Sequence, residues 1–70
     1  MEQVRVFYDH DGNTLTVWFG EPSEEYVDEE TADEVILIKD RAGRVIGFEK
    51  LNFSVAAPEQ LHVTYESVGD

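Results

Sequence analysis

His10 and His62 are the two side chains able to act as general bases near neutral pH. His10 lies between Asp9 and Asp11, so an imidazole flanked by carboxylates could move a proton or join them in holding a divalent cation. The run Asp9-x-Asp11-x-Asn13 has the spacing that opens a calcium loop. It fails further along: the sixth position, which should be Gly, is Thr14, and the twelfth, which should be Glu, is Gly20. Asp, Gly and Asn are also what a tight turn selects for backbone reasons alone. Ser23, Ser54 and Ser67 have no nucleophile-elbow context. No acid, base and nucleophile converge, so the sequence assigns no catalytic residue, no cofactor and no metal ligand.

The second chemical feature is charge. Residues 21–34 hold eight of the sixteen acidic side chains and no basic one. Such a run is a solvated loop, a set of oxygen ligands, or a surface for a basic partner. The partner-binding candidates are Glu24, Glu25, Asp28, Glu29 and Glu30. Lys39, Arg41 and Arg44 supply three of the five basic residues near a single turn and are expected to meet acidic residues of the same or a neighbouring subunit.

The elements that must position these groups read as strands. Residues 3–8 (QVRVFY) and 14–19 (TLTVWF) are β-branched and aromatic, too short for stable helices, and separated by turn residues. A loop over His10–Asn13 sets Asp9 against Thr14, Tyr8 against Leu15 and Val6 against Val17. One face then carries Val4, Val6, Tyr8, Leu15, Val17 and Phe19, and the other Arg5, Phe7, Thr16 and Trp18. Arg5, Phe7 and Trp18 are interface candidates, because the first face already supplies a core and Trp, Phe and Arg favour contact surfaces.

A second hairpin is expected from residues 34–39 (EVILIK), the turn Asp40-Arg41-Ala42-Gly43, and residues 44–51 (RVIGFEKL). Val35 to Ile38 are apolar on both faces, which requires cover above and below. That cover is to come from the C-terminal segment or from another subunit. Gly47 marks a bulge or a close backbone approach. Leu61 to Glu66 alternates again and predicts a further strand at about 61–66, while Tyr26 and Val27 could open a short one within the acidic linker, residues 20–34. The reading is a mainly β, single domain over residues 1–70: one antiparallel sheet of four or five strands, built from two β-hairpins joined by an acidic loop, with little or no helix.

Size and charge bound the function. Five basic against sixteen acidic residues give a net charge of −11, which argues against nucleic acid and anionic membranes as partners. With no cysteine there is neither a disulfide framework nor a thiolate zinc site. The chain starts without a positive leader and has no run approaching the ~18 apolar residues of a membrane span, so a soluble, cytoplasmic protein is expected. Burial in a domain of this size is worth about 100 kcal/mol, against about 105 kcal/mol of ordering entropy. That near balance leads us to expect a homodimer.

The residues F-Y-D-x-D-G-N-T-L-T-V-W-F at 7–19, then an acidic segment, then E-V-I-L-I-K-D-R-A-G-R-V-I-G-F-E-K-L at 34–51 resemble domain-of-unknown-function family 2283, an uncharacterised prokaryotic family. Tyr8-Asp9, Leu15, Val17, the D-x-x-G of Asp40 and Gly43, and Val45 to Leu51 carry the resemblance. The chain departs from the family pattern at Gly12-Asn13 and in its longer C-terminal extension. The resemblance implies a small β-rich domain of unknown activity; some relatives lie beside small toxin-like proteins, which implies an antitoxin-like role. The expected function is a non-catalytic interaction module for a basic protein. The rival is a small-ligand or divalent-metal-binding enzyme subunit using His10 and its neighbouring carboxylates.

Overall fold

The computed structural model describes residues 3–57 and 61–69. Five strands, β1 (Arg5–Asp9), β2 (Thr14–Trp18), β3 (Val27–Glu30), β4 (Val35–Lys39) and β5 (Val45–Lys50), form one antiparallel sheet in the order β1-β2-β5-β4-β3. The helical element among the described residues is a single 3-10 turn, Pro22–Glu24. Among the described residues no helix is long and apolar enough to cross a membrane.

Both expected hairpins are present. β1 and β2 pair with Asp9 opposite Thr14, Tyr8 opposite Leu15 and Val6 opposite Val17. Their turn is held by Asp9, whose Oδ1 accepts the backbone N–H groups of Asp11 at 3.0 Å and Gly12 at 3.1 Å, while Asn13 takes the left-handed conformation at φ 57°. The β4–β5 turn follows from D-x-x-G: Gly43, at φ 85°, donates its N–H to the Asp40 carbonyl, and Asp40 N–H bonds the Arg44 carbonyl. The Asp40 carboxylate is nearly buried and accepts Arg44 N–H at 2.9 Å and Nε at 3.0 Å. These bonds, the Arg44 backbone first, hold its carboxyl below the ordinary aspartate value.

The fifth strand differs from expectation. Residues 61–69 carry no strand; it is Val27–Glu30, inside the segment 20–34 read as a linker. β4 is apolar on both faces and needs a hydrogen-bonding neighbour on the side away from β5. The nearest chain can reach that position through a tight turn. Thr31 N–H and Oγ1 both bond the Val35 carbonyl, and Glu34 adopts φ 59°. Closing so short a loop costs little. The acidic residues of β3 are all exposed, so strand pairing does not desolvate them.

Directly opposed residues share a face, which gives the sheet two surfaces. The row Val6–Val17–Phe48–Leu37 lies on one, together with Tyr8, Leu15 and Val35. The chain after β5 returns over this surface: Phe53 stacks edge-on against Tyr8 at 5.8 Å, and the Tyr8 hydroxyl accepts the Val55 N–H at 3.1 Å. Residues 53–55 of the same chain thus cover the β1 end of this surface; these contacts are with Tyr8 and not with Val35–Ile38 of β4, for which cover is expected. Among the described residues the other surface carries no such strap, and Ile38, at 5% exposure, is the one apolar side chain that is buried.

Candidate functional site

The uncovered surface is built by two rows across the sheet. Arg5, Trp18, Gly47, Ile38 and Asp28 form one; Phe7, Thr16, Glu49, Ile36 and Glu30 form the next. Where the rows meet at mid-sheet they enclose a cleft of about 310 Å³. Its floor is Phe7, Trp18, Ile36 and Ile38, with Thr16 between them. Glu49 rises from mid-sheet between Thr16 and Ile36, while Asp28 on β3 and Glu25 just before that strand line the side toward the β3 edge.

Gly47 makes the cleft possible. A Cβ at this position would lie 2.7 Å from the Val17 carbonyl oxygen and 3.1 Å from Trp18 Cε3. The missing side chain lets the indole lie across β5 toward Ile38.

The carboxylates are close enough to feel one another. A hydrogen bond with Asp28 is the main cause of a raised Glu25 pKa, followed by desolvation and repulsion from Asp28 and Glu49. Crowded carboxylates above an aromatic and aliphatic floor attract a cation on an apolar stem: an ammonium or guanidinium meets the oxygens while its methylenes cover the rings.

Four of the eight residues singled out from sequence come together here: Phe7, Trp18, Glu25 and Asp28. Arg5 and Glu30 share the face but stand outside the cleft. Glu29 points to the opposite face, where Lys39 Nζ lies 2.5 Å from its Oε1. Glu24 lines a separate, more open hollow of about 620 Å³ at the end of the sheet. That hollow is compensated to within one charge, since Glu21, Glu24 and Asp40 share it with Arg41 and Arg44. Arg41 stacks on Tyr26 at 4.7 Å, so the basic turn meets the acidic segment of its own chain.

Thr16, Ile36, Ile38 and Glu49 complete the cleft and are not singled out by sequence reasoning. Their alternation was visible, but their meeting with Trp18 depends on β5 lying between β2 and β4. His10 Nδ1 lies 3.4 Å from Asp11 Oδ1, both well exposed. His62 is exposed in the C-terminal segment. Among the described residues no group of three His, Asp or Glu side chains gathers in a way that could hold a metal ion.

Comparison with known proteins adds a family and no activity. No curated protein and no solved structure matches the chain. The family described as "Protein of unknown function (DUF2283)" matches residues 5–54, which span all five strands and Phe53, the residue that packs against Tyr8. The chain therefore belongs to the DUF2283 family.

Proposed function

We propose that this protein is a non-catalytic interaction module that receives a basic, partly apolar segment of another protein in the cleft over Trp18. The reading rests on one arrangement: Glu25, Asp28 and Glu49 line the same cleft as Phe7, Trp18, Ile36 and Ile38. A partner places an apolar or aromatic side chain on the floor and Lys or Arg at the carboxylates, and the net charge of −11 steers it there. An antitoxin-like or regulatory role, in which this acidic surface neutralises a basic protein in the cytoplasm, is the concrete form of the proposal.

The chain has one tryptophan, so the cleft carries its own reporter. A peptide alternating Lys and Leu should quench or shift Trp18 emission, with an affinity that weakens several-fold between about 50 and 200 mM salt. The same peptide with Glu in place of Lys should leave the emission unchanged. Replacing Glu25 and Glu49 by Gln and Asp28 by Asn should weaken the Lys-Leu peptide at least about tenfold. Equal affinity for that triple variant and the native chain would overturn the proposal.

A further inference from the structure

The sheet has two edges, and they differ in kind. An edge strand presents unpaired N–H and C=O groups to any chain that can lie beside it. β3 carries Asp28, Glu29 and Glu30 in succession, which repels another chain as acidic as this one. β1 is different: Val6, Phe7 and Tyr8 at its centre are uncharged, and it has no proline.

Leu61–Glu66 has the alternation of a strand and forms none in the chain taken alone. Val63 is 67% exposed and Tyr65 is 88% exposed. The isolated chain has an accessible surface of 5741 Å², against about 4,450 Å² expected for a folded monomer of its mass. Its radius of gyration is 13.4 Å, against about 11 Å for its length.

We propose that the free edge of β1 accepts Leu61–Glu66 from a second copy of this chain, and that two copies exchange these segments about a two-fold axis. Charge selects the direction. Laid antiparallel, the segment sets Glu66 opposite Arg5, Tyr65 opposite Val6, Thr64 opposite Phe7, Val63 opposite Tyr8 and His62 opposite Asp9. The two apolar pairs extend the covered face of the sheet, and the outer pairs join acid to base. Laid parallel, the same segment would set Glu66 against Asp9.

Coverage selects the exchange over a simpler contact. β1 could pair with β1 of a second copy, but that joins only five residues per chain and leaves Val63 and Tyr65 bare. Two exchanged strands make five such pairs at each of two junctions and cover Val63 and Tyr65 of both chains.

Light scattering coupled to size exclusion of the full chain tests the proposal. The native protein should have twice the 8.0 kDa mass of one chain. The variant Val63→Asp/Tyr65→Asp should be monomeric at the same concentration; both side chains are exposed in the single chain, so its five-stranded sheet should persist and melt cooperatively, with the strand signal of the exchanged segment alone lost from its circular dichroism. Arg5→Glu alone and Glu66→Arg alone each set like charges together at both junctions and should raise the dimer dissociation constant at least about tenfold. Mixed one to one, these two variants restore acid to base at both junctions, and the dimer should return as a heterodimer. A monomeric native protein, whether its tail is idle or folded onto its own β1, would overturn the exchange. So would a dimer that survives Val63→Asp/Tyr65→Asp, or a mixture that fails to rescue.

Discussion

Trp18 lies across Gly47, its opposite number on the neighbouring strand, with the indole edge 3.1 Å from where a Cβ would stand. This contact lies in the β2–β5 ladder that joins the two hairpins, and it sets the floor of the cleft. Adding a methyl group by Gly47→Ala drives Cβ to 2.7 Å from the Val17 carbonyl oxygen, so the β2–β5 ladder or the indole must shift. The expected cost is about 1 to 3 kcal/mol in urea unfolding, with a change in Trp18 emission in the folded state. Native-like stability and emission together would show that the two strands adjust freely.

Asp40 governs the second hairpin. Its carboxylate bonds both the backbone and the guanidinium of Arg44, and its pKa is lowered from 3.8. A depressed carboxyl pKa stabilises the fold fully above the unfolded value and loses that contribution as pH falls through the native value. Asp40→Asn keeps an acceptor and loses the charge, so its melting temperature should lie below that of the native protein near neutrality and converge with it in acid below about pH 3.8. Asp40→Ala, which also removes the acceptor, should melt several degrees lower than Asp40→Asn at pH 7. A gap between native and Asn proteins that stays constant into strong acid would mean that the ionised carboxylate contributes nothing.

Glu34 stands in the left-handed region at φ 59° to close the β3–β4 turn. A side chain there crowds its own backbone, a cost of roughly 1 to 2 kcal/mol that glycine avoids. Its contact with Lys50, at 3.6 Å on the surface, offsets little. Glu34→Gly should therefore stabilise the protein by about 0.5 to 1 kcal/mol in urea denaturation, net of the extra freedom of glycine in the unfolded chain. A loss of stability would show that the Lys50 contact outweighs the strain.

The hairpins were legible because each is a local matter. Alternation fixes which side chains share a face, and Asp9 to Asn13 and Asp40 to Gly43 fix where the chain reverses, so the pairing of Tyr8 with Leu15 followed from counting. Gly47 could likewise be read as a close approach, although not as an approach by Trp18. The strand order could not be counted. β2 pairs with β5, and nothing within either segment says so; Ile36, Ile38 and Glu49 joined the site only through that long-range pairing. The tail misled for a related reason. Leu61 to Glu66 has the period of a strand, but a strand also needs an edge within reach, and the position beside β4 goes to residues only a turn away.

Glu25 is the carboxylate through which the cleft reports its own charge. Its hydrogen bond with Asp28, a slight desolvation of this exposed side chain, and repulsion from Asp28 and Glu49 make it hold a proton more tightly in the folded protein than in the unfolded chain. A raised acid pKa favours the fold fully below the ordinary value of 4.5 and ceases to do so as pH rises through the native value, so at neutral pH the ionised group is under repulsion. Glu25→Gln removes that repulsion and keeps a group able to bond Asp28. Its melting temperature at pH 7 should exceed that of the native protein by about 1 to 3 °C, and the difference should shrink toward zero near pH 4. The same substitution should weaken the Lys-Leu peptide at pH 7, so stability rises while binding falls. A variant that melts lower at pH 7, or binds the peptide as tightly as before, would separate Glu25 from the cleft's electrostatics.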